Sequence, residues 1–338
     1  MRIFFAGSPA IAVPALEELF KLTQLSPDFE LAAILTNPDS PKGRSGISLP
    51  TEIGSAAERL SAEYGGRGRP APLILKPLRL DEQARDCIAR LKPDLLVSFA
   101  CGRIFGPKFL GLFPAGGINI HPSLLPKYRG PTPISAAILA GDTETGISIQ
   151  RIALEVDSGD ILAQERMPLS GSETAAGLSD IMAKKAAQML PSVLKDILSG
   201  RAQGRPQNSA EVSYCSLINK DDGIIDWNMS AKKIDAQIRA YNPWPLSLTA
   251  CGNQQLFILH ARAMEAESTV IQETQTVVSR LPGMVLGIDK QWGILVQTGE
   301  GLIAVSELQC CAKKALHWKD FLNGMRNFIG SRLGSEQG

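Results

Sequence analysis

Gly116-Gly117-Ile118-Asn119-Ile120-His121-Pro122-Ser123-Leu124-Leu125-Pro126-Lys127-Tyr128-Arg129-Gly130 is the most informative stretch of this 338-residue chain. Its first half is apolar and rich in β-branched residues, so Gly117–His121 reads as a buried strand that Pro122 stops. Alternate residues of a strand share a face, so Asn119 and His121 point the same way. In parallel sheets ligands bind beyond the carboxyl ends of strands, which is where this pair falls. Taken alone, an Asn-x-His pair is more often a hydrogen-bonded structural pair than a catalytic one.

Upstream, Ile3–Ala6, Leu31–Leu35, Leu73–Leu75 and Leu95–Phe99 read as further short apolar strands. Between them, Pro14–Leu22 and Asp81–Leu91 have helical spacing, the latter with Ala84, Ile88 and Leu91 on one face. Strands alternating with helices imply an α/β domain with a parallel sheet. Asn37–Pro50, rich in Pro, Gly and Ser and carrying Lys42 and Arg44, reads as an exposed loop. Downstream, Gly146–Ile152 and Ile161–Leu169 are strands. Ser172–Leu198 reads as a long helix capped by Ser172 and stopped at Gly200, with Pro191 expected to bend or split it. The polar run Gly200–Ser209 is the expected linker between a domain of residues 1–205 and one of residues 210–330. In the second, a helix at Ala231–Tyr241 is capped by Ser230. Short runs at Gln255–Leu259, Gly283–Leu286, Gly293–Gln297 and Leu302–Leu308 suggest a small β-barrel of OB type.

Composition removes several classes. Hydrophobic residues make up 44% and charged residues 20%, as in a globular enzyme, and the net charge of +1 does not advertise a nucleic-acid binder. The six cysteines form no CxxC pair and there are three histidines, so neither a structural zinc site nor any other metal is expected. Scattered cysteines read as reduced thiols of a cytoplasmic protein. No apolar run reaches the length of a membrane span, and the one at the start stops at Gly7-Ser8-Pro9, too short for a signal peptide. The GxGxxG and GxxxxGK[ST] loops are missing, which disfavours a nicotinamide cofactor or a P-loop nucleotide. Ser123 does not lie in a GxSxG elbow.

A second polar cluster follows Gly146–Ile152: Glu155-Val156-Asp157-Ser158-Gly159-Asp160. A carboxylate beside a histidine orients it and stabilises its charged form. Asp157 and Asp160 are both candidates, and spacing does not choose between them.

Taken together, Asn119, His121, the run Ser123–Pro126 and Asp157 within Asp-Ser-Gly-Asp resemble the signature of the folate-dependent formyltransferases. Phe5–Pro9, Pro38–Arg44, Ile225–Trp227 and Arg239–Pro245 are similar to the members that act on initiator tRNA, so the resemblance spans about residues 1–325. It implies a Rossmann-like parallel-sheet formyltransferase domain followed by an OB-like β-barrel that binds tRNA. The implied co-substrate is 10-formyltetrahydrofolate, without a metal, and the implied partner is initiator methionyl-tRNA, met by a cytoplasmic monomer away from membranes. Asn119, His121 and Asp157 would be catalytic, with His121 held protonated by Asp157. Ser123, Leu124, Leu125, Pro126, Phe99 and Gly102 would face the folate. Lys42, Arg44 and Arg129 would meet tRNA phosphates, with Lys184, Lys185, Lys195, Arg201 and Arg205 as a basic track. Trp227 and Trp244 read as core residues before base-stacking ones. The chain departs from the family pattern at Cys101, Pro122, Pro131–Ser135 and Glu155, and in Ser45-Gly46-Ile47 after Arg44. Other readings are a formyltransferase for another amine such as a sugar nucleotide, a 10-formyltetrahydrofolate hydrolase, and an inactive RNA-binding protein on this scaffold.

Overall fold

The structure is a computed structural model that describes residues 1–41, 46–64, 70–264, 281–325 and 327–334. It divides into two compact units. One comprises Met1–Pro133, Glu144–Pro168 and Leu178–Ser216; the other comprises Ile134–Thr143, Leu169–Gly177 and Leu217–Gly338.

The first unit is a Rossmann-like α/β sheet. Its strands are β1 (Arg2–Gly7), β2 (Glu30–Leu35), β5 (Leu73–Leu75), β6 (Leu95–Phe99), β7 (Gly117–His121), β8 (Glu144–Arg151) and β9 (Ile161–Pro168). A separate two-residue ladder, β3 (Ser40–Pro41) with β4 (Ser48–Leu49), lies inside the segment expected to be a loop. The sheet order is β5-β2-β1-β6-β7-β8-β9. The strands from β5 to β7 pair in parallel, whereas β8 and β9 are antiparallel to their neighbours. The expected parallel sheet therefore ends in an antiparallel edge. Residues 152–160 are too few for the crossover that a parallel β8–β9 pair would need.

Central strands are apolar on both faces because helices cover both. Phe4 packs edge-on against Phe109 and Phe113, with ring centroids 6.2 and 5.5 Å away. Asp81 caps the helix Glu82–Arg90 by accepting a hydrogen bond from the Ala84 amide. The long helix spans Ala175–Leu198 and runs through Pro191 unbroken. Ala186, Leu190, Val193 and Leu194 are buried on either side of the proline. Their packing outweighs its cost, about 3 kcal/mol in a helix interior. The residue whose side chain accepts from the Gly177 amide at the helix start is Thr174, not Ser172.

The expected linker behaves differently from its composition. Arg205 exchanges two backbone hydrogen bonds with Ile161, both 2.9 Å. Further on, the Ser213 and Cys215 backbones pair with Pro126 and Arg129. The segment is polar because its outer side faces solvent, yet its backbone is spent on the first unit.

The second unit holds β10 (Ser247–Cys251), β11 (Gln254–Ala263), β12 (Val285–Asp289), β13 (Gly293–Gln297), β14 (Leu302–Cys310) and β15 (Ala315–His317). They form an antiparallel sheet in the order β10-β11-β14-β13-β12, with β15 on β14. Bridges Cys251↔Leu333 and Met284↔Arg332 tie the C-terminal segment to both edges and close the sheet into a small barrel. The helix Ala231–Ala240, capped by Ser230 as expected, sends Ile234 and Ile238 into this core beside Trp227. Trp227 is buried and donates from Nε1 to Thr249 Oγ1, whereas Trp244 is 59% exposed. The core expectation therefore holds for the first tryptophan and not for the second.

Candidate active site

Strand β7 carries Asn119 and His121 on one face, and register places Gln150 and Ser148 of β8 directly opposite them. The two strands thus form a polar patch within an otherwise apolar sheet. The carboxylate of Asp157 sits over that patch. Its Oδ1 accepts from Asn119 Nδ2 at 3.1 Å and from Gln150 Nε2 at 2.9 Å. Its Oδ2 accepts from the Gly130 amide at 2.9 Å and faces His121 Nδ1 at 3.4 Å. Spacing left Asp157 and Asp160 open; geometry brings Asp157 to the pair.

Two backbone features make this convergence possible. Asp157 has φ +51°, a left-handed conformation that aspartate tolerates better than most residues and that recurs at functional sites. Gly159 lies against the Arg151 carbonyl, where a Cβ would come within 1.9 Å of the oxygen. Only glycine lets the turn return over the sheet here.

A carboxylate only accepts, so both amide groups must turn their nitrogens toward Asp157. Asn119 keeps its second N–H for another acceptor. On its other side, His121 Nε2 lies 2.8 Å from the Tyr128 carbonyl and donates to it. Nδ1 is then the ring position where a second proton enters, facing Asp157. His121 is 4% exposed. Burial pushes its imidazolium below the ordinary histidine value, against Asp157 and the Tyr128 carbonyl, which favour the charged form. Burial thus opposes the expected standing charge on His121 and favours a neutral ring at rest.

This has a consequence for stability. A histidine with a lowered native pKa binds fewer protons folded than unfolded, so acidification below about pH 6.5 costs stability. Urea midpoints measured from pH 7.5 to 5 should fall more for the wild type than for His121→Gln. Parallel curves would remove His121 from the titration.

The remaining expected site residues fall into distinct places. Ser123–Pro126 forms a turn whose polar groups are largely used internally. Ser123 Oγ donates to the Lys127 carbonyl, Ser148 Oγ donates to the Ser123 carbonyl, and Gln164 Nε2 donates to the Leu125 carbonyl. Leu124 packs so closely on Gly146 that a Cβ there would lie 2.4 Å from its Cδ2. Phe99 is fully buried in the sheet, and Gly102 is exposed with φ +70°. Next to it, burial pushes the Cys101 thiol up to about 11, so it is no nucleophile near neutral pH.

Arg129 does not present a surface cation. It is 6% exposed, and its Nε and Nη2 donate to Gln207 Oε1 at 3.1 and 2.9 Å. Its Nη1 reaches Glu155 at 3.4 Å, and Glu155 also accepts from the Tyr214 hydroxyl, so the departure at Glu155 has a structural use. Lys42 and Arg44 lie outside the described residues. Of the basic track, Lys185 pairs with Glu165, Arg201 with Asp196, and Arg205 donates to Gln164, while Lys184 and Lys195 are exposed. Among the described residues no group of His, Cys, Asp and Glu is arranged to hold a metal ion.

Sequence reasoning passed over Gln150 and Gln207. Gln150 had a readable signal: a long amide at every second position with Ser148 in the run Gly146–Ile152. Gln207 had none, because its partners come from segments remote in the chain.

Two family models match the chain: formyl transferase over residues 1–194, and formyl transferase C-terminal domain over residues 217–326. The methionyl-tRNA formyltransferase of Treponema denticola is 45% identical over 97% of this chain and 98% of its own length. That of Borrelia duttonii is 37% identical over 98% and 99%. Among solved structures, the sugar 3N-formyltransferase WlaRD matches with a TM-score of 0.62 at 19% identity, over 93% of this chain and 99% of that one. HypX from Aquifex aeolicus, solved with tetrahydrofolic acid, matches with a TM-score of 0.59 at 15% identity; the present chain covers 97% of its own length and 48% of HypX. Those two likenesses describe the fold alone.

Proposed function

This chain belongs to the formyl transferase family, and from that premise we propose that it transfers the formyl group of 10-formyltetrahydrofolate to the free amino group of methionyl initiator tRNA. The product is N-formylmethionyl-tRNA, used to start translation. The observation that carries this reading is the convergence of Asn119, His121 and Gln150 on one half-buried carboxylate, Asp157, in a chain whose near full-length relatives bear that name. All six cysteines are free thiols, in keeping with a cytoplasmic protein. The reading treats the enzyme as a monomer of two domains.

The acceptor is an α-amino group with an ordinary pKa of about 7.7–8.0, neutral in a useful fraction near pH 7.5. Its lone pair adds to the formyl carbon, and the carbonyl oxygen becomes an oxyanion. Asn119 spends one N–H on Asp157 and aims the other at that oxyanion. The attacking nitrogen gives up a proton to the His121–Asp157 pair. Nδ1 accepts it, Asp157 stabilises the imidazolium, and the same proton passes to N10 as the C–N10 bond breaks. Tetrahydrofolate leaves as an amine and the formamide remains. We place the flat pterin along Gly102, the backbone of Phe99 and the Ser123–Pro126 turn. The exposed Ile104, Leu154 and Val156 supply apolar surface of the kind such a ring covers. Lys42 and Arg44, with Lys184 and Lys195, are the proposed phosphate contacts; Arg129 is withdrawn from that role.

Incubation with isotopically labelled 10-formyltetrahydrofolate tests the reading. Label should pass to methionyl initiator tRNA, and not to an amino-sugar nucleotide or, as formate, to water. Transfer to either alternative at an equal rate would replace this assignment. In the same assay, Asn119→Ala should lower the single-turnover rate by about 10²–10³, the usual weight of one oxyanion donor.

A further inference from the structure

We infer that Gln207 is a positioning residue for the reaction, acting through Gln150 to hold and orient the carboxylate of Asp157. The inference rests on the reading of Asp157 as catalytic.

The Gln207 amide is saturated and can face only one way. Its Oε1 accepts from Arg129 Nε and Nη2, which have nothing but protons to offer. Its Nε2 therefore points inward, where its two N–H groups are shared among three acceptors, two of them the carbonyls of Asp157 and Gly159, both at 2.8 Å. The same nitrogen lies 3.0 Å from Gln150 Oε1. That contact fixes the second amide: Gln150, 1% exposed, must turn its oxygen to Gln207 and its Nε2 to Asp157 Oδ1. A single donor direction thus runs from Arg129 through Gln207 and Gln150 to the carboxylate. Reversing either amide would set donor against donor at one end and acceptor against acceptor at the other.

Gln207 also grips the backbone on both sides of the turn. It binds the carbonyl of Asp157, held at φ +51°, and that of Gly159, packed on Arg151. A residue in that conformation persists when its surroundings over-determine it. The 205–216 segment is therefore joined to the chemistry: it brings in the side chain that sets the direction of the buried Gln150 amide.

Single-turnover formylation of methionyl initiator tRNA by full-length protein tests this with Gln150→Met, Gln207→Met, the double variant and Asp157→Asn. Methionine preserves length and apolar bulk while removing the hydrogen bonds. Each Gln variant should lose about tenfold or more in rate at saturating substrates, with the KM for both substrates changed less than about threefold. The double variant should be no slower than the slower single variant, because both act on one carboxylate. The acid limb of the rate–pH profile should move in both single variants. If Gln207→Met only lowers the melting temperature and keeps the wild-type rate and pH profile, or if the two losses multiply, the positioning role is overturned. If Asp157→Asn itself retains activity, the reading of the site fails first. Loss in Asp157→Asn with a wild-type Gln207→Met leaves the site standing and removes this inference alone.

Discussion

Asp157→Asn is expected to abolish practical turnover, with a fall of roughly 10³–10⁴ in the single-turnover rate, the scale seen when an orienting aspartate beside a catalytic histidine is neutralised. Several groups converge on the side chain: Asn119, Gln150, the Gly130 amide and His121 all face its two oxygens. Asparagine has nearly the same shape and also tolerates the left-handed backbone, so the substitution removes the charge without altering volume or backbone. One oxygen becomes an NH2 group that must oppose at least one existing donor. The Asn119 or Gln150 amide then loses its acceptor or turns over, and the imidazolium formed during reaction loses its counter-charge. Rapid-quench formylation under saturating donor and acceptor is the measurement. A rate within tenfold of the wild type would mean that Asp157 is a turn residue and no more.

His121→Ala should have an effect of similar size by a different route. The ring is buried between the Tyr128 carbonyl and Asp157, so its removal leaves a cavity and takes one donor from that carbonyl, besides removing the proton carrier. General acid–base help of this kind is worth about 10²–10⁴ in rate. His121→Asn, which keeps a donor near the carbonyl, should recover stability without recovering rate. The pH profile of the wild type tells which protonation state starts the reaction. A ring neutral at rest, the state that burial favours, makes the rate rise with pH on the acid side as the ring sheds its proton. A ring required in its charged form would make the rate fall above about pH 6.5. His121→Ala retaining near wild-type single-turnover rates would sink the proposed proton path.

The linear chain by itself determined the local elements and much of the chemistry. Apolar runs placed β1, β2, β6 and β7, and in β6 and β7 matched the observed ends, because a strand buried on both faces must be apolar throughout. Period-two alternation put Asn119 and His121 on one face, since side-chain direction in a strand follows from local geometry. Ser230 announced its helix through a hydrogen bond that spans three residues. What needed the tertiary structure were the choices made by segments distant in sequence. Pairing across β7 and β8 set Gln150 beside Asn119, and the returning turn selected Asp157 over Asp160. Arg129 became a buried partner of Gln207 instead of a surface cation, and a polar stretch that reads as a linker pairs through Arg205 with the backbone of Ile161. Each of these depends on which backbone and side-chain groups find partners once water is excluded. Composition and spacing record a residue's capacity to donate or accept, while only the packed chain settles which partner it meets.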